Sequence, residues 1–198
     1  IDTEIAEPTE QVKQEQPLVS IVTPTYNRAD LFKKVALYNW EHLTYPNREW
    51  IIVDDSTEGP LDCELFSQDN RIQYIYLGAD SCQGISHHTI GYKRNHAIQR
   101  AKGTIIMCMD DDDYYPADTI ENRLQLLTEH PDYHCSFAST IACYNIYRKF
   151  SYINTPSVYD PPHKRVSEAT LIFRRSFWEE RGFPEDALLG EGEGFIEG

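Results

Sequence analysis

Gly103-Thr-Ile-Ile-Met-Cys-Met-Asp-Asp-Asp-Asp-Tyr-Tyr-Pro116 is the stretch on which the reading of this chain turns. Residues 103 to 109 form a short apolar run opened by a glycine, the signature of an interior β-strand. Asp110 to Asp113 follow at once, so the strand delivers four carboxylates to the edge of its sheet. Adjacent carboxylates repel unless solvent or a cation offsets them. A hard divalent cation such as Mg²⁺ or Mn²⁺ prefers oxygen ligands, and ligands of α/β sheets bind at the carboxyl ends of strands. The run therefore predicts a metal site that helps hold a phosphorylated substrate. The competing reading is a solvated acidic loop. A helix-flanked calcium loop is excluded: counted from Asp110, its sixth position needs a glycine and holds Tyr115, and its seventh is Pro116.

Outward from this strand, the chain alternates strand-like and helix-like segments. Residues 1–16 are polar, rich in Glu and Gln and without periodicity, and read as a disordered tail or linker. The ordered part, 17–198, reads as a single domain and as part of a longer protein, with a first half to about 115 and a second from about 116. Leu18 to Val22 is the first strand. A helix is expected from Asp30 to about Leu43, with Leu31, Val35, Leu37 and Tyr38 facing inward. Glu49 to Val53 and Arg71 to Leu77 are the next strands, and Gly78 to His88 is a polar loop. Thr89 to Ala101 has helical spacing, with Ile90, Ala97, Ile98 and Ala101 on one face. Pro116 suits the start of a helix running to about His130. Tyr133 to Phe137 and Ile141 to Phe150 look like strands, Ser151 to Arg165 like a loop, Glu168 to Phe173 like a strand and Ser176 to Arg181 like a short helix. The alternation predicts an α/β fold: a mostly parallel central sheet flanked by helices, with a small antiparallel extension in the C-terminal half.

Bulk composition narrows the function. Lys plus Arg is 18 and Asp plus Glu is 32, a formal charge of −14, which argues against nucleic-acid or broad anionic-membrane binding. No apolar stretch approaches the roughly 20 residues of a membrane span. The five cysteines, Cys63, Cys82, Cys108, Cys135 and Cys143, are odd in number and lack Cys-x-x-Cys spacing. Free thiols in a reducing, cytoplasmic compartment are expected, without a zinc site.

Three strand ends carry polar clusters: Thr23 to Arg28, Asp54-Asp55-Ser56 and Asp110 to Asp113. Parallel strands would bring all three to one edge. Singly, the first two have the alternative reading of a turn or helix cap.

Four motifs occur in order: Val19-Ser-Ile-Val-Thr-Pro-Thr-Tyr-Asn-Arg28, Trp50-Ile-Ile-Val-Asp-Asp-Ser56, Gly91-Tyr-Lys-Arg-Asn-His-Ala97 and Met109-Asp-Asp-Asp-Asp-Tyr-Tyr-Pro116. Together they resemble a family 2 glycosyltransferase with the GT-A nucleotide-sugar fold. The resemblance covers about residues 18 to 130 well and 165 to 198 loosely. It implies that Thr23, Pro24, Tyr26 and Arg28 line the pocket for base and ribose, and that Asp55, rather than its neighbour Asp54, accepts a hydrogen bond from the base. It implies that Arg94, with Lys93, faces the diphosphate, that Asp110 and Asp112 are the Asp-x-Asp metal pair, and that Asp111 faces the donor, with Asp113 structural. The base for the acceptor hydroxyl falls in Gly190-Glu-Gly-Glu-Gly-Phe195: Glu191 first, Glu193 in reserve. The acid that the family pattern places directly after Glu191 is replaced by Gly192, and this segment also reads as an acidic tail. Glu168 is assigned to the acceptor side.

His87, His88 and His163 read as surface or structural residues before phosphate or metal contacts, and most tyrosines as packing. The resemblance implies a metal-dependent (Mn²⁺ or Mg²⁺), inverting transfer of a sugar from a UDP-sugar donor to a hydroxyl on a glycan or glycoconjugate acceptor. Two alternatives stand beside it. One is a sugar-nucleotide nucleotidyltransferase, which usually carries a glycine-rich, lysine-bearing loop where this chain has Thr-Pro-Thr-Tyr-Asn-Arg. The other is a non-catalytic nucleotide-binding or receiver-like module, for which Asp54-Asp55 would be a phospho-acceptor strand end.

Overall fold

A computed structural model describes residues 16–62, 64, 66–78 and 87–198. The tail assigned to 1–16, apart from Gln16, lies outside the described residues, as do most of the 78–88 loop and Cys63 and Cys82. A six-stranded sheet forms the centre, in the order β3-β2-β1-β4-β8-β5. Strands β1 (Val19–Thr25), β2 (Arg48–Asp54), β3 (Ile72–Tyr76) and β4 (Ile105–Cys108) are mutually parallel. Strand β8 (Ile172–Arg174) runs antiparallel to β4 and to β5 (Cys135–Ser136). The mostly parallel sheet expected from the sequence is present. The antiparallel extension is a separate hairpin of β6 (Ile141–Asn145) and β7 (Phe150–Asn154).

The central strands are apolar because both of their faces are covered. On one face, Trp50 stacks between Phe32 and Trp40, with centroids 5.4 Å and 5.5 Å away. These rings come from β2 and from α1 (Ala29–Lys34) and α2 (Ala36–His42). On the other face α3 (Ile90–Ile98) packs on β1 and β2. There, Phe173, Phe177, Phe183 and Phe195 form a second aromatic cluster, Phe183 and Phe195 lying 4.1 Å apart. Phe195 belongs to α6 (Glu191–Glu197), so the segment that also read as an acidic tail is a helix seated in the core. No helix among the described residues is long and apolar enough to cross a membrane.

Several boundaries differ from expectation. The helix expected over 30–43 is broken at Val35. Leu31 and Tyr38 face solvent while Phe32, Ala36 and Trp40 are buried; the break shifts the angular phase on which the inward assignments rested. Helix α4 (Thr119–Glu129) begins three residues after Pro116, and α5 (Arg175–Arg181) is the short helix expected after β8. Residues 151–165 are not all loop: β7 pairs with β6 across a turn in which Lys149 has φ 54°. Exposure of all of β7 hid its alternation. Glu168–Thr170 is a 3-10 turn and only Ile172–Arg174 is strand. Ile90 is exposed, although Ala97, Ile98 and Ala101 face the core as expected.

The site-bearing helix α3 approaches its neighbours closely at Gly91. A Cβ there would lie 2.2 Å from the Pro184 carbonyl oxygen. Gly91→Ala is therefore expected to destabilise the fold by about 1–3 kcal/mol, read as a lower urea midpoint with an unchanged m-value.

Candidate functional site

The register sets Thr25 beside Asp54 and Val22 beside Cys108. The loops after β1, β2 and β4 thus open on one edge, and the three polar clusters meet there. Sheet order changes direction at β1 and β4, where an open α/β sheet leaves a crevice. A cavity of ≈ 830 Å³ occupies it, lined by Pro24, Thr25, Tyr26, Arg28, Lys93 and Asp110 to Asp112, among others.

Short polar contacts knit the three loops. Asn27 adopts φ 50°, a conformation asparagine tolerates better than most residues. Its amide nitrogen donates to Ser56 Oγ at 2.7 Å, and its Oδ1 accepts from the Thr57 amide at 2.9 Å. Thr25 Oγ1 donates to Asp111 Oδ2 at 2.6 Å. Arg28 donates to Asp111 Oδ1 at 2.8 Å and to Asp112 Oδ2 at 2.6 Å.

Beneath the cavity, Lys93 Nζ donates to Asp55 Oδ1 at 2.8 Å and to the Thr25 carbonyl at 3.0 Å. The His88 amide donates to the other Asp55 oxygen. Arg94 spans the site: Nη1 donates to Glu191 Oε1 at 2.6 Å and Nη2 to Asp110 Oδ1 at 3.0 Å. Burial lowers the Arg94 pKa, but neighbouring charge more than reverses this and holds it above the ordinary arginine value. Cys108 behind it is a neutral thiol, pushed up to about 12 chiefly by burial. The compensating charge is therefore that of Asp110 and Glu191.

The acidic wall is unevenly tuned. Burial raises the Asp111 pKa, against the Thr25 hydrogen bond and the Arg28 charge. Asp113 is pushed up to about 6 by partial burial and then by the charges of Asp110, Asp112 and Asp111. Among the described residues, Asp110 and Asp112 each keep one carboxylate oxygen without a hydrogen bond. Two such hard oxygens at a cavity wall under mutual repulsion fit a divalent cation.

Several expected roles shift. Thr23 does not line the cavity; it is fully buried, donating to the Met109 carbonyl at 2.6 Å and accepting from Trp50 Nε1 at 2.8 Å. A threonine hydroxyl satisfied within the sheet cannot also face a ribose. Asp54 is a loop anchor, accepting from Ser56, Leu61 and Tyr74. Asp55 is also 0% exposed, with both oxygens engaged. Burial of both aspartates removes the phospho-acceptor reading, which needs an accessible carboxylate. Arg94 and Lys93 are paired with carboxylates and buried, so neither presents a bare charge to the cavity. Pro24, Tyr26, Arg28 and the Asp110–Asp112 wall line the cavity. His163 lies 3.8 Å from Glu197, and with Glu193 these residues bring ligand atoms within 4.8 Å of one another.

Ile90, Tyr92, Glu185 and Leu188 also line the cavity; Tyr92 falls inside the Gly91–Ala97 motif without an assigned role, and no motif marked the other three. The Tyr115 hydroxyl, which accepts from the Asp110 amide at 2.9 Å and donates to the Ala169 carbonyl at 2.8 Å, was likewise unmarked. The one available signal was its position two residues after the four aspartates, inside the fourth motif.

Comparisons with known proteins bear on the family and the fold. A family model described as glycosyl transferase family 2 matches residues 20–182. A putative teichuronic acid biosynthesis glycosyltransferase, TuaG of Bacillus subtilis, is 33% identical over 128 residues, covering 63% of this chain and 46% of the relative. An uncharacterized glycosyltransferase of Haemophilus influenzae is 25% identical over 117 residues, covering 58% and 44%. Among solved structures, S. aureus TarS 1–349 superposes with a TM-score of 0.65 at 19% identity over 90% of this chain and 54% of that one. A mannosyltransferase of Pyrobaculum calidifontis, solved with GDP-Man and Mn²⁺, gives 0.62 at 20% over 90% and 51%. TarS has also been solved with UDP and with UDP-GlcNAc. These structural likenesses carry the fold, which is the GT-A arrangement expected. The chain spans about half the length of the relatives it matches.

The Lys93–Asp55 pair is 3% and 0% exposed. Lys93→Met is expected to cost about 3–5 kcal/mol, because it strands a buried carboxylate. Guanidinium denaturation should show part of that loss recovered in the double variant K93M/D55L.

Proposed function

This chain belongs to glycosyl transferase family 2, and from that premise we propose that it transfers a sugar from a UDP-sugar donor to a hydroxyl on a glycan or glycoconjugate acceptor. The observation that carries the reading is the convergence of the loops after β1 and β4 and the start of α3 on one cavity with an aromatic wall and an acidic wall. Tyr26 supplies the aromatic side, its ring 4.8 Å from that of His87 and with Lys93 Nζ 5.8 Å away. Pro24, Tyr26 and Arg28 are assigned to the base and ribose. Asp55 is assigned a supporting part, holding Lys93 and the His88 amide in place. The choice of UDP is supported by the UDP-bound TarS structures.

Asp110 and Asp112 are the residues proposed to hold Mn²⁺ or Mg²⁺, and Asp111, braced by Thr25 and Arg28, faces the donor. The cation, when bound, offsets the charge that builds on the departing diphosphate. The chain's own residues orient the two reactants around it. Arg28 and the Tyr26 ring fix the nucleotide end, and Arg94 holds Asp110 against the start of α6. A carboxylate at that end removes the acceptor proton, giving a single displacement that inverts the anomeric centre. The half to about residue 115 would bind the nucleotide and the half from about 116 the acceptor, within a reducing compartment. Free thiols at Cys108, Cys135 and Cys143 support the last point.

Calorimetry with UDP tests the metal dependence. Wild-type protein is expected to bind UDP more tightly with Mn²⁺ present. Asp112→Ala should lose that gain by more than about tenfold while its far-UV circular dichroism stays unchanged. UDP affinity indifferent to Mn²⁺ in the wild type would contradict the proposal.

A further inference from the structure

Three carboxylates, Glu191, Asp110 and Glu168, lie around Arg94, with Glu193 further along α6, and their surroundings separate them. Glu191 is bound at 2.6 Å to a guanidinium that is itself 1% exposed. A proton placed on Glu191 would discharge a buried ion pair, so a carboxylate held this way is a poor proton acceptor. Asp110 shares the same guanidinium. Glu193 groups with His163 and Glu197. Glu168 is different: it is half-buried, and among the described residues no arginine or lysine pairs with its carboxylate, which accepts a hydrogen bond from its own backbone amide.

Its position is fixed from two sides. The Tyr115 hydroxyl ties the carbonyl of Ala169, the next residue, to the amide of Asp110. Across the gap, Glu168 lies over Gly192 in the first turn of α6. A Cβ at residue 192 would stand 2.2 Å from Glu168 Cγ and 2.9 Å from its Oε1. The side chain of Glu168 thus fills the volume that a residue following Glu191 would otherwise claim.

We propose that Glu168, seated in the side-chain space left open by Gly192, is the carboxylate that deprotonates the acceptor, while Glu191 is a positioning residue that holds Arg94. This assignment rests on the glycosyl-transfer reading above. The acceptor hydroxyl proton passes to a Glu168 oxygen as the hydroxyl oxygen's electron pair forms the bond to the anomeric carbon. The bond from that carbon to the diphosphate oxygen breaks, and its electron pair leaves with UDP. The charged groups around Glu168 are Glu191 from α6, Arg94 from α3 and Asp110 from the end of β4; burial, then the Glu191 and Asp110 charges, raise its pKa, against the hydrogen bond from its own backbone amide and the Arg94 charge.

Water serves as the acceptor in the test, which follows Mn²⁺-dependent UDP release from a panel of UDP-sugars. Glu168→Gln is expected to lower kcat by about 100-fold or more, to flatten the acid limb of the pH–rate profile, and to leave UDP affinity and Tm near wild type. The double variant E168A/G192D, which moves the carboxylate across the gap, should regain at least about tenfold over Glu168→Ala. Wild-type turnover in Glu168→Gln would overturn the assignment. Should Glu168→Gln prove unstable, the double variant decides: recovery supports Glu168 and no recovery rejects it. A wild-type protein that neither binds UDP with Mn²⁺ nor hydrolyses any donor would overturn the glycosyl-transfer reading itself, and this assignment with it.

Discussion

The buried guanidinium of Arg94 is the contact on which the rest of the site depends. It leaves α3 on one face of the sheet and joins the acidic end of β4 to the first turn of α6. The residues it connects are 16 and 97 positions away in sequence. An arginine this deeply buried is tolerable only with its charge compensated. Two carboxylates do that, and in doing so they bring the acidic strand end and the C-terminal helix into register. The packing agrees: Phe183 lies beneath the guanidinium at 5.5 Å and stacks on Phe195 of α6. Electrostatics and the second aromatic cluster therefore place α6 in the same position by independent means.

The sequence was most legible where one physical rule dominated. Apolar runs buried on both faces identified β1, β2 and β4, and parallel topology then placed their polar ends together. It was least legible where pairing is long-range. Lys93 and Arg94 are neighbours on a helix whose polar residues Lys93, Arg94 and Asn95 are all buried. No amphipathic pattern survives there, because each polar group finds a partner from another element. A pattern of types cannot say that Lys93 meets Asp55 or that Arg94 meets Glu191. The same holds for Thr23, whose position in the polar cluster suggested a ligand contact but whose hydroxyl closes a bond network between Trp50 and Met109. The C-terminal half was harder still. Its strands are two to five residues long, and β7 is exposed throughout, so period-two alternation had little burial to report.

Gly192 illustrates how an apparent loss can be a structural requirement. Read along the chain, a glycine after Glu191 looks like a missing acid. Read in space, the position has no room for a side chain, because Glu168 already occupies it. A negative charge is still delivered to that part of the edge, from a 3-10 turn rather than from the helix. The carboxylate so delivered lacks the arginine partner that restrains Glu191.

The charge balance of the cavity gives the proposed metal dependence its physical reason. Arg28 and Lys93 are the lysine and arginine side chains on its lining, and both are engaged: Arg28 by Asp111 and Asp112, Lys93 by Asp55. Arg94 is divided between Asp110 and Glu191. A diphosphate entering such a cavity meets carboxylates whose nearest cations are already committed. Drawing any of the three cations to the phosphates would strip a buried or nearly buried carboxylate of its partner: Asp111 for Arg28, Asp55 for Lys93 and Glu191 for Arg94. A cation arriving from solution carries no such penalty, and the unbonded oxygens of Asp110 and Asp112 are the ligands that suit it. The pairing that ties the site together is thus the same pairing that would leave the charge of the proposed diphosphate to be offset from outside the chain.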